Sequence, residues 1–105
     1  IMKITTKDWT AQIDRMPGAA SFRTFGTVTV ANSGVTPTLV RSDLQDKSFD
    51  LRLELKLEHS DGVSLPVLTD KFVEYKELGD SNVTGVSIFF EGQLLHHIDE
   101  VLVTN

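Results

Sequence analysis

The sequence predicts a mainly β fold: a single antiparallel β-sandwich of about seven strands, in the immunoglobulin-like style, with one short N-terminal helix. Three observations lead to this class. The segment Phe49–Glu58 alternates strictly between apolar and polar residues, which is the pattern of a half-buried strand. Short apolar segments separated by turn-forming residues make up most of the remaining chain. The 105 residues are enough for one core, so we assign 1–105 to a single domain.

The N-terminal helix is predicted over Lys7–Met16, between two threonines that can cap it and a Pro-Gly pair that can end it. Apolar residues recur in this segment at i, i+4 and i+7, at Trp9, Ile13 and Met16. This spacing places them on one side of a helix. We therefore expect the helix to pack on the sandwich and to cover one end or face of it.

The segment Phe49–Glu58 is the best-defined strand. Its leucines share one face and its charged residues share the other. Strict alternation would spread the apolar side chains around a helix, so the period favours a strand over the helix propensity of these residues. We expect Leu53 and Leu55 to be buried, and the charged side chains that alternate with them to be exposed, namely Arg52, Glu54 and Lys56.

Six further segments have the composition of strands and are separated by turn residues. They are Ala20–Ala31, Thr36–Ser42, Val63–Leu68, Lys71–Leu78, Val83–Phe90 and Gln93–Val103. Pro66 places the third of these at a sheet edge or at a bulge. The connections are short and hairpin-like, which favours antiparallel pairing.

Composition and charge exclude several classes of function. Fifteen acidic residues against ten basic ones give a formal net charge of −5, and the basic residues form no run. This charge repels phosphate backbones and anionic lipids, so we expect neither nucleic acid nor a membrane as a partner. The lack of cysteine excludes disulfides and thiolate chemistry. We expect a soluble domain without a cofactor; no targeting segment is recognisable, and no compartment is indicated.

Candidate chemistry is concentrated in the sequence HHIDE, His96–Glu100. Neighbouring side chains of a strand point to opposite faces, so His96 and His97 cannot share a metal ion without a bulge. His96 is expected on the core face. His97 and Asp99 remain together on the other face, where Ser87 of the preceding strand is also expected.

Two active-site interpretations of this segment are weighed against a structural one. Zinc usually has three or four protein ligands, and His97 with Asp99 supplies two. A serine nucleophile requires an imidazole between its hydroxyl and a carboxylate, which a histidine and an aspartate side by side on one strand do not provide. We therefore predict no catalytic residue and no tightly held metal, and keep a metal site at His97 and Asp99 as the alternative.

Apolar side chains on faces that alternation assigns to solvent are candidates for an interaction surface. The predicted set is Phe25, Phe89, Leu95, Val101 and Val103. We expect a non-catalytic binding or assembly module that contacts a protein partner or a second copy through a sheet face, an edge strand or loops. The candidate loops are Asn32–Thr36, Arg41–Ser48 and Leu78–Asn82. The alternative is a small metal-dependent protein or hydrolase centred on the last hairpin.

Overall fold

Two packed four-stranded sheets make up the computed structural model, which describes residues 4–43, 45, 49–60, 62 and 65–104. One sheet has the order β5-β2-β1-β8 and the other β3-β4-β6-β7. The mainly β class and the two-layer architecture are therefore confirmed. The strands are β1 (Thr5–Asp14), β2 (Ser21–Val30), β3 (Val35–Arg41), β4 (Asp50–His59), β5 (Thr69–Leu78), β6 (Gly85–Phe90), β7 (Gln93–Ile98) and β8 (Leu102–Thr104).

The predicted N-terminal helix is wrong, because this segment forms β1 and pairs antiparallel with β2. The spacing of four residues between Trp9 and Ile13 fits the period of a strand as well as that of a helix. Ala11 lies between them on the same side of the strand, and Ala11 and Ile13 are both buried. Met16, the third member of the proposed helical stripe, follows the strand and is 52% exposed. The segment therefore belongs to a sheet instead of covering one.

Two strand pairs are parallel, which corrects the prediction of a purely antiparallel sandwich. β4 pairs parallel with β6, and β1 pairs parallel with β8. Both arrangements arise because the chain changes sheets: β5 separates β4 from β6 in sequence but lies in the other sheet. The predicted final strand Gln93–Val103 is divided into β7 and β8, and residues 99–101 carry the chain between the sheets.

The predicted strand Val63–Leu68 is not formed within the residues that the structure describes. Residues 65–68 have no strand assignment, while Val63 and Ser64 lie outside the described residues. Part of the candidate loop Arg41–Ser48 lies outside them too. The remaining predicted strands begin and end close to the expected positions. No helix capable of crossing a membrane occurs in the part of the chain that the structure describes.

The core lies between the sheets and confirms the predicted register of β4. Leu53 is fully buried, and Leu55 is 3% exposed. Of the charged residues between the leucines, Lys56 is exposed, whereas Arg52 and Glu54 are half-buried. The other large side chains that are completely buried come from both sheets: Phe22, Ile13, Ile88, Val28 and Val86. The outer surfaces of the two sheets are thereby left as the broad accessible faces of the protein.

Candidate functional site

Two phenylalanines meet on the outer surface of the sheet β5-β2-β1-β8. Side chains of β2 alternate, and Thr24 and Val28 are buried against the other sheet. Phe25 therefore points outward, and Phe72 lies on the same surface of the neighbouring strand β5, in register with Thr27. The two ring centroids are 5.9 Å apart, with an angle of 36° between the ring planes. Phe72 is 63% exposed, so an aromatic pair is presented to solvent.

Charged residues adjoin this pair. The guanidinium carbon of Arg23 lies 4.5 Å from the centroid of the Phe25 ring, a cation–π contact. The Nε atom of Arg23 lies 3.5 Å from Oε2 of Glu74, which is directly opposite Phe25 in the strand register. We call the outer surface formed by Arg23, Phe25, Phe72 and Glu74 the aromatic face. It combines an apolar centre with charges of both signs.

A second ion pair lies further along the same surface. Lys7 Nζ is 3.2 Å from Asp70 Oδ2, and the hydroxyl of Thr29 donates a 2.6 Å hydrogen bond to Asp70 Oδ1. The hydrogen bond from Thr29 and the nearby ammonium of Lys7 lower the pKa of Asp70 from its ordinary value. Asp70 is therefore held in its ionised form beside the aromatic face.

The structure does not bring the five predicted interaction residues together. Phe25 lies on the aromatic face, whereas Phe89 lies in the other sheet beneath Arg52, whose guanidinium carbon is 5.8 Å from the ring centroid. Leu95 and Val101 are partly buried against the core. Val103, in register with Ile13 in the edge strand β8, is 48% exposed. The five residues thus occupy different surfaces of the protein.

Phe72 is the aromatic partner that the sequence analysis did not select. The alternation of β5 places Phe72 and Glu74 on the face opposite to Val73. Because Val73 is buried, these two neighbours face outward. The contact with Phe25 depends on the pairing of β2 with β5, which are separated by two strands of the other sheet in sequence. No local signal specifies that pairing.

The two adjacent histidines point to opposite sides of β7, as predicted. His97 is in register with Ser87, and His96 is in register with Ile88. Asp99, the expected carboxylate beside His97, lies beyond the end of β7 and is exposed. The register of β6 and β7 shifts between Ile88 and Phe89.

The carboxylate that contacts His97 is supplied by Asp50 of β4. His97 Nε2 lies 3.0 Å from Asp50 Oδ1, and the Ser87 hydroxyl donates a 2.7 Å hydrogen bond to Asp50 Oδ2. Gly85 stands opposite Asp50 in the parallel pair β4·β6. A Cβ atom at Gly85 would lie 3.0 Å from Asp50 Oδ1, so the glycine provides the room for this contact.

The order of the three groups in this cluster supports a structural role and not a catalytic one. The carboxylate lies between the hydroxyl and the imidazole, whereas activation of a serine requires the imidazole in the middle. For metal binding, the pair offers one carboxylate and one imidazole. The described residues contain no group of three or more histidine, aspartate or glutamate side chains arranged around one point. Asp50 therefore links β4, β6 and β7 through side chains.

His96 is not a core residue, which corrects the expectation. It is exposed, and its ring stacks against Trp9 with centroids 6.3 Å apart and planes inclined by 23°. The indole Nε1 of Trp9 donates a 2.9 Å hydrogen bond to the hydroxyl of Thr6. Trp9 and His96 thus join one sheet to the other at the side of the sandwich where β1 and β7 approach.

Comparison with protein-family models, with curated proteins and with solved structures returned no match to this chain.

Proposed function

We propose that this protein is a non-catalytic binding or assembly module, a sandwich of the immunoglobulin-like style that contacts another protein surface through its aromatic face. The observation that carries the proposal is the outward-facing contact between Phe25 and Phe72. Aromatic side chains are enriched at the centres of protein interfaces because they bury a large apolar area with few rotatable bonds.

The energetic argument begins with the exposure of Phe72. With 63% of this side chain in water, a partner surface that covers it gains part of the ~1.5 to 3 kcal/mol associated with burying a phenylalanine. Phe25 is packed between Arg23 and Phe72. The exposed ring of Phe72 therefore contacts a side chain that is already held in place. An anchor that is already ordered loses less conformational entropy when a partner binds.

The charges around the anchor favour a protein partner. Arg23 is paired with Glu74, and Lys7 with Asp70, so the face carries both signs although the chain has a formal net charge of −5. A phosphate backbone or an anionic lipid surface would meet neither a basic patch nor a favourable overall charge. A polar rim with both signs around an apolar centre is typical of protein–protein interfaces.

Site-specific photo-crosslinking tests the proposal. A photoreactive phenylalanine analogue placed at Phe72 should give a discrete crosslinked protein in cells that naturally make this chain. The matched control is the same analogue at Phe49, which is also 63% exposed but precedes β4 in the other sheet. The product at position 72 should disappear when Phe25→Ser is added. Absence of a product at position 72, or equal products at both positions, contradicts the proposal.

A second candidate function rests on the 3.0 Å contact between His97 and Asp50. An imidazole and a carboxylate are ligands for zinc or nickel, which keeps the metal-dependent alternative open with Asp50 in place of Asp99. Titration with Zn²⁺ or Ni²⁺ should show stoichiometric binding if this alternative is correct. The binding should then be lost in both His97→Ala and Asp50→Asn, and retained in Asp99→Ala.

A further inference from the structure

β5 is a long and regular edge of its sheet. All ten of its residues pair with β2 without a register shift, and within the described ranges no strand is hydrogen-bonded to its other side. The other three edge strands differ: β8 has three residues, β3 contains Pro37, and β7 has an irregular register. Short length, proline, bulges and charged side chains, lysine above all, protect an edge against pairing with another chain. β5 lacks the first three, and its charged residues restrict pairing to registers in which opposite charges meet.

The outward side chains of β5 form a pattern that is self-complementary when reversed. From Phe72 onward the outer positions are apolar, acidic, basic and apolar: Phe72, Glu74, Lys76 and Leu78. The two apolar residues are strongly exposed, 63% for Phe72 and 87% for Leu78. In an antiparallel pair of two such strands, each apolar residue can meet the other, and each acid can meet a base.

We propose that β5 pairs antiparallel with β5 of a second copy, about a two-fold axis that passes through Tyr75. The two four-stranded sheets then become one continuous sheet of eight strands. In this register Phe72 of each copy lies opposite Leu78 of the other, and Glu74 lies opposite Lys76. This inference rests on the proposed function, because Phe72 belongs to the aromatic face as well as to β5.

The symmetry limits which registers need comparison. A two-fold axis between antiparallel strands stands perpendicular to the sheet, so the outer faces of both copies lie on the same side and outer residues meet outer residues. An axis at Glu74 or at Lys76 places like charges directly opposite each other. An axis at Phe72 places Asp70 opposite Glu74, which is also repulsive.

Of the five registers with the axis between Phe72 and Lys76, the one not yet compared has the axis at Val73 and places Phe72 opposite Glu74. That arrangement pairs Asp70 with Lys76 but leaves both phenylalanines against carboxylates. Only the axis at Tyr75 gives two apolar pairs and two pairs of opposite charge along the outer face. Cross-strand pairs of these types stabilise antiparallel sheets, and like charges directly opposite destabilise them.

The charge of this edge allows a second copy to approach it. Two copies with a formal net charge of −5 each repel one another at long range. The strand β5 contains Asp70, Glu74 and Glu77 against Lys71 and Lys76, and Arg41 of β3 bonds to Glu77. The edge is therefore close to neutral, and like-charged copies can approach each other there with little repulsion.

Sedimentation velocity over a range of concentrations tests the dimer. The unmodified chain should self-associate to a dimer. Lys76→Glu and Glu74→Lys should each weaken that dimer by roughly tenfold or more, because two pairs of opposite charge become two pairs of like charge. An equimolar mixture of the two variants should recover the dimer, since each introduced charge meets its opposite.

Thermal unfolding of each variant shows whether the monomer is intact, in particular for Glu74→Lys, which also loses the pairing with Arg23.

Cysteine crosslinking tests the register, and the chain has no cysteine of its own to interfere. Phe72→Cys combined with Leu78→Cys should give a disulfide-linked dimer under mild oxidation, because directly opposite Cβ atoms lie about 4.5 to 5.5 Å apart. The matched control is Phe72→Cys combined with Glu74→Cys, which crosslinks efficiently only with the axis at Phe72, Val73 or Glu74 and not with the axis at Tyr75.

The outcomes separate this inference from the proposed function. A chain that stays monomeric at every concentration, or a dimer that is indifferent to both charge variants, overturns the β5 pairing. If the photo-crosslink at Phe72 then has the mass of this chain plus a different protein, the aromatic face still binds a partner and the proposed function stands. A product of twice the chain mass supports the second copy.

Discussion

The indole ring of Trp9 lies against the backbone of Gly26, in the space that any side chain at position 26 would occupy. This contact follows from an irregularity in β1: the register with β2 shifts between Lys7 and Thr10, and Asp8 has a φ of 60°. Two residues of β1 therefore oppose one residue of β2, as in a β-bulge. The bulge turns Trp9 towards the other sheet, whose exposed His96 stacks on it.

Gly26→Ala should destabilise the fold by about 1 to 3 kcal/mol, because the added methyl group overlaps the indole ring and forces it or the strand to move. Urea unfolding measures the change. Gly62→Ala is the control, since a Cβ atom there meets nothing within 4 Å. Trp9 is the only tryptophan, so its fluorescence should shift in Gly26→Ala and stay constant in Gly62→Ala. Equal stability of the two variants would contradict the contact.

Leu53→Ala should cost ~2 to 5 kcal/mol of unfolding free energy, because Leu53 is completely buried between the sheets and its truncation leaves a cavity. Lys56→Ala, an exposed position of the same strand, should change stability by less than about 0.5 kcal/mol. Chemical denaturation of both variants checks the prediction. A loss at Lys56 as large as that at Leu53 would mean that the register of β4 is wrong.

Local patterns in the sequence were sufficient for the mainly β class and for β4, whose alternation leaves one face apolar. They were insufficient for β1, because Trp9 and Ile13 are four residues apart and this spacing fits both a helix and a strand. The segment forms a strand because it pairs with β2, which buries Ala11 and Ile13 in a sheet. The parallel pairs could not be predicted either, because they depend on which sheet each strand joins.

The candidate sites show the same limit. The alternation of side chains along a strand correctly placed His96 and His97 on opposite faces, because this placement depends only on neighbouring residues. The carboxylate beside His97 comes from Asp50, 47 positions away in sequence, and the partner of Phe25 comes from β5. Both contacts require the strand order, which nothing in one sequence specifies. Asp99 was selected because it is near in sequence, and it lies outside the strand.

The ionisation of Asp70 should contribute to the acid dependence of stability. The hydrogen bond from Thr29, followed by Lys7, lowers the pKa of Asp70 in the folded protein. The unfolded state therefore takes up a proton at higher pH than the folded state does. This stabilisation is present above the unfolded pKa, about 4, and is lost as the pH falls through the folded pKa.

NMR titration of the Asp70 carboxyl carbon measures this effect directly. Thr29→Val and Lys7→Gln should each raise the pKa of Asp70, because the hydrogen bond from Thr29, the largest single cause, and the pairing with Lys7 both lower it. Thr27→Val, on the same face of β2 but without a bond to Asp70, should leave the titration unchanged. An unaltered pKa in Thr29→Val would show that the hydroxyl does not bond to the carboxylate.

Ser87→Ala should destabilise the protein by about 1 to 3 kcal/mol, the usual range for losing a hydrogen bond to a charged group. The Ser87 hydroxyl is buried and donates to Asp50 Oδ2, and its loss removes the side-chain link between β4 and β6. Asp50→Ala should cost at least as much, because it releases both Ser87 and His97.

Asp99→Ala should have an effect below about 0.5 kcal/mol, since Asp99 is exposed beyond the end of β7. Urea unfolding of the three variants distinguishes the assignments: if Asp99→Ala were the most damaging, the carboxylate chosen from sequence proximity would be the partner of His97 and the Asp50 cluster would be incorrect.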